Sequence, residues 1–238
     1  AGIINIRLKK DKNLGANANL NLGGSQGEVG QYNGGLSGNY RTKELNVFSS
    51  YNYNDGENLN FMDLYREQFG RRFDQRGDQG GTWQSHNFKV GTDFFLNERH
   101  TVGFLVNGYI SDTDWGGDSR TLIGPAGQST VDQILIASSN DDWARNNANF
   151  NLNYRFEGKE GKTWNVDADY GLFRNDGSQY QPNRYYDATE TNLLDEVINT
   201  MNTPTDIDIY AFKMDHERPF LGGQLGAGLK VSLVRTDN

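Results

Sequence analysis

The 238-residue sequence has no cysteine. That removes disulfides, thiol nucleophiles and thiolate metal ligands, and it is compatible with an oxidising envelope. Proline is scarce, at 4 residues, and no stretch holds the roughly 18 consecutive apolar residues that a membrane-spanning helix needs. A basic surplus is also lacking: the net charge of -8 argues against a nucleic-acid partner, which would require a positive face. A hydrophobic content of 35% looks too low for a membrane protein. Yet a membrane strand needs only about 9–11 residues with every second one apolar, so a spanning barrel can look hydrophilic on average.

What is abundant is glycine, at 29, and aromatic residues, with 13 Phe, 12 Tyr and 4 Trp, a mixture that suits strands joined by turns. Period two dominates. In "ANANLNL", Ala16, Ala18, Leu20 and Leu22 alternate with Asn17, Asn19 and Asn21. The same pattern recurs in Leu45 to Tyr53, Phe88 to Leu96, Ala148 to Phe156 and Trp164 to Leu172, where Asn147, Asn149, Asn151, Asn153 and Arg155 or Asn165, Asp167 and Asp169 occupy the opposite face. About nine strands are expected. The connections between them alternate: "RTKE", "NERH", "EGKEGK" and "ERPFLGG" are short, whereas residues 55–83, 111–145 and 175–205 are long. Tight turns on one side and long loops on the other are the rhythm of an outer-membrane barrel, with an oily face toward lipid and a polar face toward a wet lumen. The competing reading is a soluble antiparallel sheet with one solvated face, which alternates in the same way. The aromatic residues at strand ends (Tyr40, Tyr53, Trp164) favour the membrane, where they form interfacial girdles. The expected fold is therefore all-β, an antiparallel up-and-down transmembrane β-barrel of which this chain supplies part.

The opening "AGIINIRLKK", with "LGANANLNLGG" and the "NGGLSGNYRTKELNVFSSYNYND" hairpin behind it, resembles TonB-dependent outer-membrane receptors, particularly the outer-membrane β-barrel family common in Bacteroidota. Gly2, Ile3, Asn5, Ile6, Lys9 and Lys10 hold the places of the segment that closes the plug domain in that family. The likeness is best over residues 1 to about 110, and it lacks the TonB box and the body of the plug. It implies a barrel of about twenty-two strands, with residues 1–11 as the last plug strand and linker and 12–238 as the first part of the wall. It further implies TonB-dependent transport of a nutrient such as a siderophore, peptide or glycan, with outer-membrane lipid and the TonB complex as partners. The alternative is a non-transporting barrel subunit whose long loops hold a surface lipoprotein or another assembly subunit.

No enzyme chemistry and no cofactor are expected. "GGSQG" fits the Gly-x-Ser-x-Gly pattern, but it lies in a strand-to-strand turn instead of a nucleophile elbow. His86, His100 and His216 form no spaced pair. In "DTDWGGD", Asp112, Asp114 and Asp118 around two glycines could wrap oxygens about a hard cation, although the simpler reading is a solvated acidic loop. The three long connections carry 17 acidic and 7 basic residues, which disfavours anionic solutes. Arg66, Arg71, Arg72 and Arg76 are the exception, with Arg71 and Arg72 as candidate partners for phosphate or carboxylate groups; the alternative is local pairing with Glu67, Asp74 and Asp78. Trp83, Trp115, Trp143, Tyr185 and Tyr186 are the candidate ligand- or partner-binding aromatics. "FMDLYREQF" and "NLLDEVINTM" break period two and are predicted to be short helices, the second with Asn192 as N-cap.

Overall fold

The computed structural model describes residues 14–238. The expected last plug strand at 1–11 lies outside the described residues. From Leu14 onward the chain is one antiparallel sheet: β1 (Gly15–Gln26), β2 (Gly30–Arg41), β3 (Leu45–Gln68), β4 (Arg71–Asn97), β5 (His100–Pro125), β6 (Gln133–Glu157), β7 (Thr163–Asp187), β8 (Leu193–Asn202), β9 (Thr205–Phe220) and β10 (Gly223–Asp237). Each strand pairs with the next in sequence, except that β7 pairs with both β8 and β9. Those two run in one register, from Tyr185↔Asp195 through Ser178↔Asn202 to Asn175↔Thr205 and Thr163↔Glu217. They are one long partner of β7 interrupted at Pro204, which has no N–H to give to the ladder. The wall is thus nine strand positions wide, as the alternation predicts, and it is an open up-and-down sheet with β1 and β10 at its edges.

The sheet is a single layer. Among the described residues only Ile123 and Ile134 form a buried apolar core, while Leu20, Leu36, Val90, Leu152 and Val231 are each more than half exposed. The chain exposes 16235 Å², about one and a half times the surface of a compact globular chain of this mass. In water such a surface would collapse or aggregate. The register lines these residues up across strands: Leu20↔Leu36↔Tyr51↔Phe88 on one row and Phe104↔Leu152↔Ala168↔Phe212↔Val231 on another. The result is an outward apolar band about ten residues deep along each strand, the depth a tilted strand needs to cross a bilayer. Its borders are aromatic. His100 lies 4.8 Å from Phe156, and Trp164 stacks on His216 at 4.1 Å. At the other border His86 sits 5.1 Å from Tyr53, as ring centroids.

The opposite face is an amide carpet. Asn39 donates to Asn46 at 2.9 Å, Asn46 to Asp93 at 3.1 Å and Asn151 to Asp169 at 2.7 Å. These cross-strand bonds satisfy polar side chains facing a wet interior. Along β5 the exposed Phe104, Ile110, Asp112, Asp114 and Asp118 share one face and the half-buried Asn107, Thr113, Trp115 and Ser119 share the other, which makes the second face the concave one.

Two expectations are corrected here. The long connections 55–83, 111–145 and 175–205 are not loops: β3 to β7 run 24 to 27 residues each and continue as strands past the apolar band. The predicted helices at 61–69 and 192–201 are likewise absent, because Phe61 to Gln68 end β3 and "LLDEVINTMN" is β8. Pairing to a preformed neighbour supplies backbone hydrogen bonds that an isolated short helix would have to win against its nucleation cost. The β3–β4 turn is tight: Phe69 (φ 52) and Gly70 (φ 71) close it with two left-handed residues, the type I′ geometry that matches strand twist.

Candidate ligand site on the concave face

Beyond the apolar band the extended strands carry a cluster of indoles. The register places Gly56, Trp83, Thr113, Trp143 and Gly177 on one row across β3 to β7. The adjoining row holds Asn58, Gly81, Trp115, Asp141 and Gln179. Trp83 and Trp143 therefore flank Thr113 two strand spacings apart, roughly 10 Å, and Trp115 lies diagonal to both, with about 7–8 Å to each. All three are half-buried and share the concave face.

Glycine makes this packing fit. A Cβ at Gly177 would meet Cε3 and Cζ3 of Trp143 at 2.5 Å, and one at Gly56 would meet Nε1 of Trp83 at 3.2 Å. The Trp83 and Trp143 rings thus lie over a bare backbone on the neighbouring strand, which keeps them low on the wall. Around the rings are small or hydrogen-bonding groups: Ser85, Ser111, Arg145 and Asn175 form the row toward the membrane. Arg145 Nε donates to Asn175 Oδ1 at 3.4 Å. Asp141 is 9% exposed, and its Oδ1 is buried without a hydrogen-bond partner. An unpaired carboxylate oxygen is costly to bury.

The other candidates lie elsewhere. Arg71 is twelve residues from Trp83 along β4, roughly 40 Å, and its guanidinium holds Asp132 in a bidentate pair at 2.8 and 3.0 Å. Arg72 donates to the Ser129 carbonyl at 3.3 Å. Both arginines stitch the β3–β4 tip to the β5–β6 tip, as do Glu67, which accepts from the Gly127 N–H at 3.0 Å, and the Ala126 N–H, which donates to the Gly70 carbonyl at 2.9 Å. The Gly127 N–H and the Tyr65 hydroxyl hold the Glu67 carboxyl below the usual range. Arg120 then ties the same hairpin to Glu190 at the β7–β8 tip, at 2.7 Å. Tyr185 and Tyr186 stand eight and nine residues beyond Gly177, on opposite faces of β7. At that tip Asp187 organises the turn: hydrogen bonds from Asn192, Thr191 and Thr189 hold its carboxyl well below the ordinary range.

Asp112, Asp114 and Asp118 sit on one outward face of β5. Extended backbone spreads the first and last by roughly 20 Å, so they do not surround one ion; among the described residues no group of three His, Asp or Glu is placed to hold a metal. The three histidines are separate, each hydrogen-bonded at 2.7 Å: His86 with Tyr51, His100 with Tyr154 and His216 with the Thr163 carbonyl. Three of the seven predicted binding residues thus converge. Asp141, Asn58 and Gln179 complete the site, and only the pairing register brings them to the indoles.

A model of the outer membrane protein beta-barrel family matches residues 154–238, the part of the chain with β7, β8, β9 and β10. The match lies outside residues 1 to about 110, where the sequence alone leads one to expect the best likeness. No curated protein matches the chain. Among solved structures, the Ralstonia pickettii toluene transporter TbuX is similar with 8% identity and a TM-score of 0.21, over 93% of this chain and 76% of that one. The family match, with the single-layer wall and its outward band, supports an outer-membrane β-barrel.

Proposed function

We propose that this chain is part of the wall of a TonB-dependent transporter that takes up a nutrient of the siderophore, peptide or glycan class across the outer membrane. The observation that carries this reading is the sidedness of the sheet: an outward apolar band backs onto a continuous amide-lined concave face, and that face leads up to an indole cluster beyond the band. Strands satisfy every backbone group in lipid, while the lumen side offers a wet path from the cluster. The energy source comes from the family resemblance of the opening segment, in which the inner-membrane TonB complex would pull on the plug. No bond chemistry is assigned to any residue.

The test is growth-linked uptake by the full-length protein in its own cell. Deleting the chain or dissipating the proton-motive force should abolish accumulation of a labelled nutrient from the medium to the same extent. Uptake that persists without the proton-motive force would leave a passive barrel. A second reading, a barrel subunit docking another protein, has one observation in its favour: Leu193, Leu194, Val197, Ile198 and Met201 of β8 are all exposed beyond the band. Co-purification of a stoichiometric partner lost on Val197→Asp would favour it.

A further inference from the structure

We infer that the shelf formed by Trp83, Trp115 and Trp143 binds a neutral oligosaccharide; this rests on the transport reading above and narrows its solute. Three observations combine. Trp83 and Trp143 lie over glycines and Trp115 stands between them on the same face, so the three indoles together offer the concave side a broad, low aromatic platform. A π-face is electron-rich and attracts weakly positive C–H groups such as those on the flat side of a pyranose ring. The surrounding groups Asn58, Asp141, Arg145 and Gln179 supply donors and acceptors in the planar, paired form that vicinal hydroxyls match, and Thr113 adds a hydroxyl.

Charge selects against the other solute classes. The Asp141 and Arg145 charges offset one another within the shelf, and Asp112, Asp114, Asp118, Asp142 and Asp176 face outward, so the shelf itself is close to neutral and offers an ionic chelate no surplus of counter-charge. A purely apolar ligand would strip water from the amide and hydroxyl rim without replacing its hydrogen bonds. The buried, unpartnered Oδ1 of Asp141 points the same way, because it wants a donor and a sugar hydroxyl is one. A small turn of the carboxylate would bring the two together. The rings would set affinity and Asp141 the orientation of the bound sugar.

The experiment uses the full-length protein in detergent on a printed array of neutral oligosaccharides, with titration calorimetry of the best binder. Wild type should bind at least one class. Trp83→Ala and Trp143→Ala should each weaken binding about tenfold or more, Asp141→Asn several-fold, and Trp143→Phe much less than Trp143→Ala, with all variants retaining the heat-modifiable gel mobility of a folded barrel. No retention of any neutral glycan by wild type, or retention unchanged in both Ala variants, overturns the assignment. So does binding of an aromatic solute or peptide in place of glycans. Failure of the transport reading is separable: glycan binding without energy-dependent uptake would remove transport and leave the shelf, whereas energy-dependent uptake of a labelled peptide with no glycan bound would do the reverse.

Discussion

The membrane-facing half of the sheet and the half that extends past it are made from the same strands, but different solvents shape them. In the band, lipid accepts no unpaired polar group, so the outward positions of β6 run Ala148, Phe150, Leu152 and Tyr154 without exception while the inward ones are Asn147 to Arg155. In the extension water touches both faces, and strict alternation disappears: outward positions include Asp112, Asp114, Asp118, Asp142 and Asp176 beside Phe61 and Ile136. The strands persist there because each already has a hydrogen-bonded neighbour and because ion pairs and turns join the tips. Lipid enforces a pattern; water only permits one.

The sharpest way to break this contrast is in the band. Leu152→Arg places a charge against acyl chains, at a cost of about 2–4 kcal/mol at mid-bilayer, and should block assembly into the outer membrane. Asn151→Arg, one residue away but lumen-facing and next to Asp169, should assemble normally. The readout is the folded fraction in outer-membrane preparations, and equal outcomes would erase the two faces. In the extension the largest effect should come from packing. Gly177→Val would drive a side chain into Trp143 and cost about 1–3 kcal/mol, seen as a lower unfolding midpoint in urea and a red-shifted tryptophan emission, whereas Gly27→Ala, with open space around it, should change neither.

Smaller again is the stitching of the tips. Arg71→Ala removes a pair whose side chains are 40% and 48% exposed, worth about 0.2–1 kcal/mol. Assembly should be unaffected, while proteolysis near residues 126–132 should quicken. The smallest effect is acid sensitivity at the β7–β8 tip. The Asp187 carboxyl sits below its unfolded value near 3.9, so its contribution is present at neutral pH and lost only as pH falls through the lower, folded value. Hydrogen-exchange protection at residues 188–192, corrected for intrinsic rate, should be unchanged from pH 7 to 5 and decline in stronger acid. Asn192→Ala, which removes the largest of the stabilising bonds, should move that decline upward.

The same contrast explains what the sequence makes legible. Strand number, facing and lumen character follow from alternation in the band, where one row such as Leu20 and Leu22 against Asn19 and Asn21 suffices. The extension is opaque because mixed solvation removes the period. "NLLDEVINTM" matches a helical stripe as well as it matches an edge strand, and only pairing to Tyr180 and Arg184 on β7 decides it. Arg71 and Arg72 read as cations for a ligand or for local partners such as Glu67, Asp74 and Asp78, because Asp132 and Ser129 are some sixty residues away in sequence. The indoles stand out by residue type, but Asp141 does not, since its link to Trp115 is a cross-strand register that no local pattern carries.

The most direct test of the sidedness exploits the absence of cysteine from these 238 residues, with any cysteine elsewhere in the full-length protein replaced by serine. Single cysteines at residues 149 to 154 of the full-length protein, in membranes, can be probed with a water-soluble maleimide and, once labelled with a fluorophore, with nitroxide lipids. Positions 150, 152 and 154 should be quenched by the lipids and resist the aqueous reagent, while 149, 151 and 153 should label from water and escape quenching. Equal aqueous labelling at all six, or quenching without alternation, would contradict a wall with lipid on one side and water on the other.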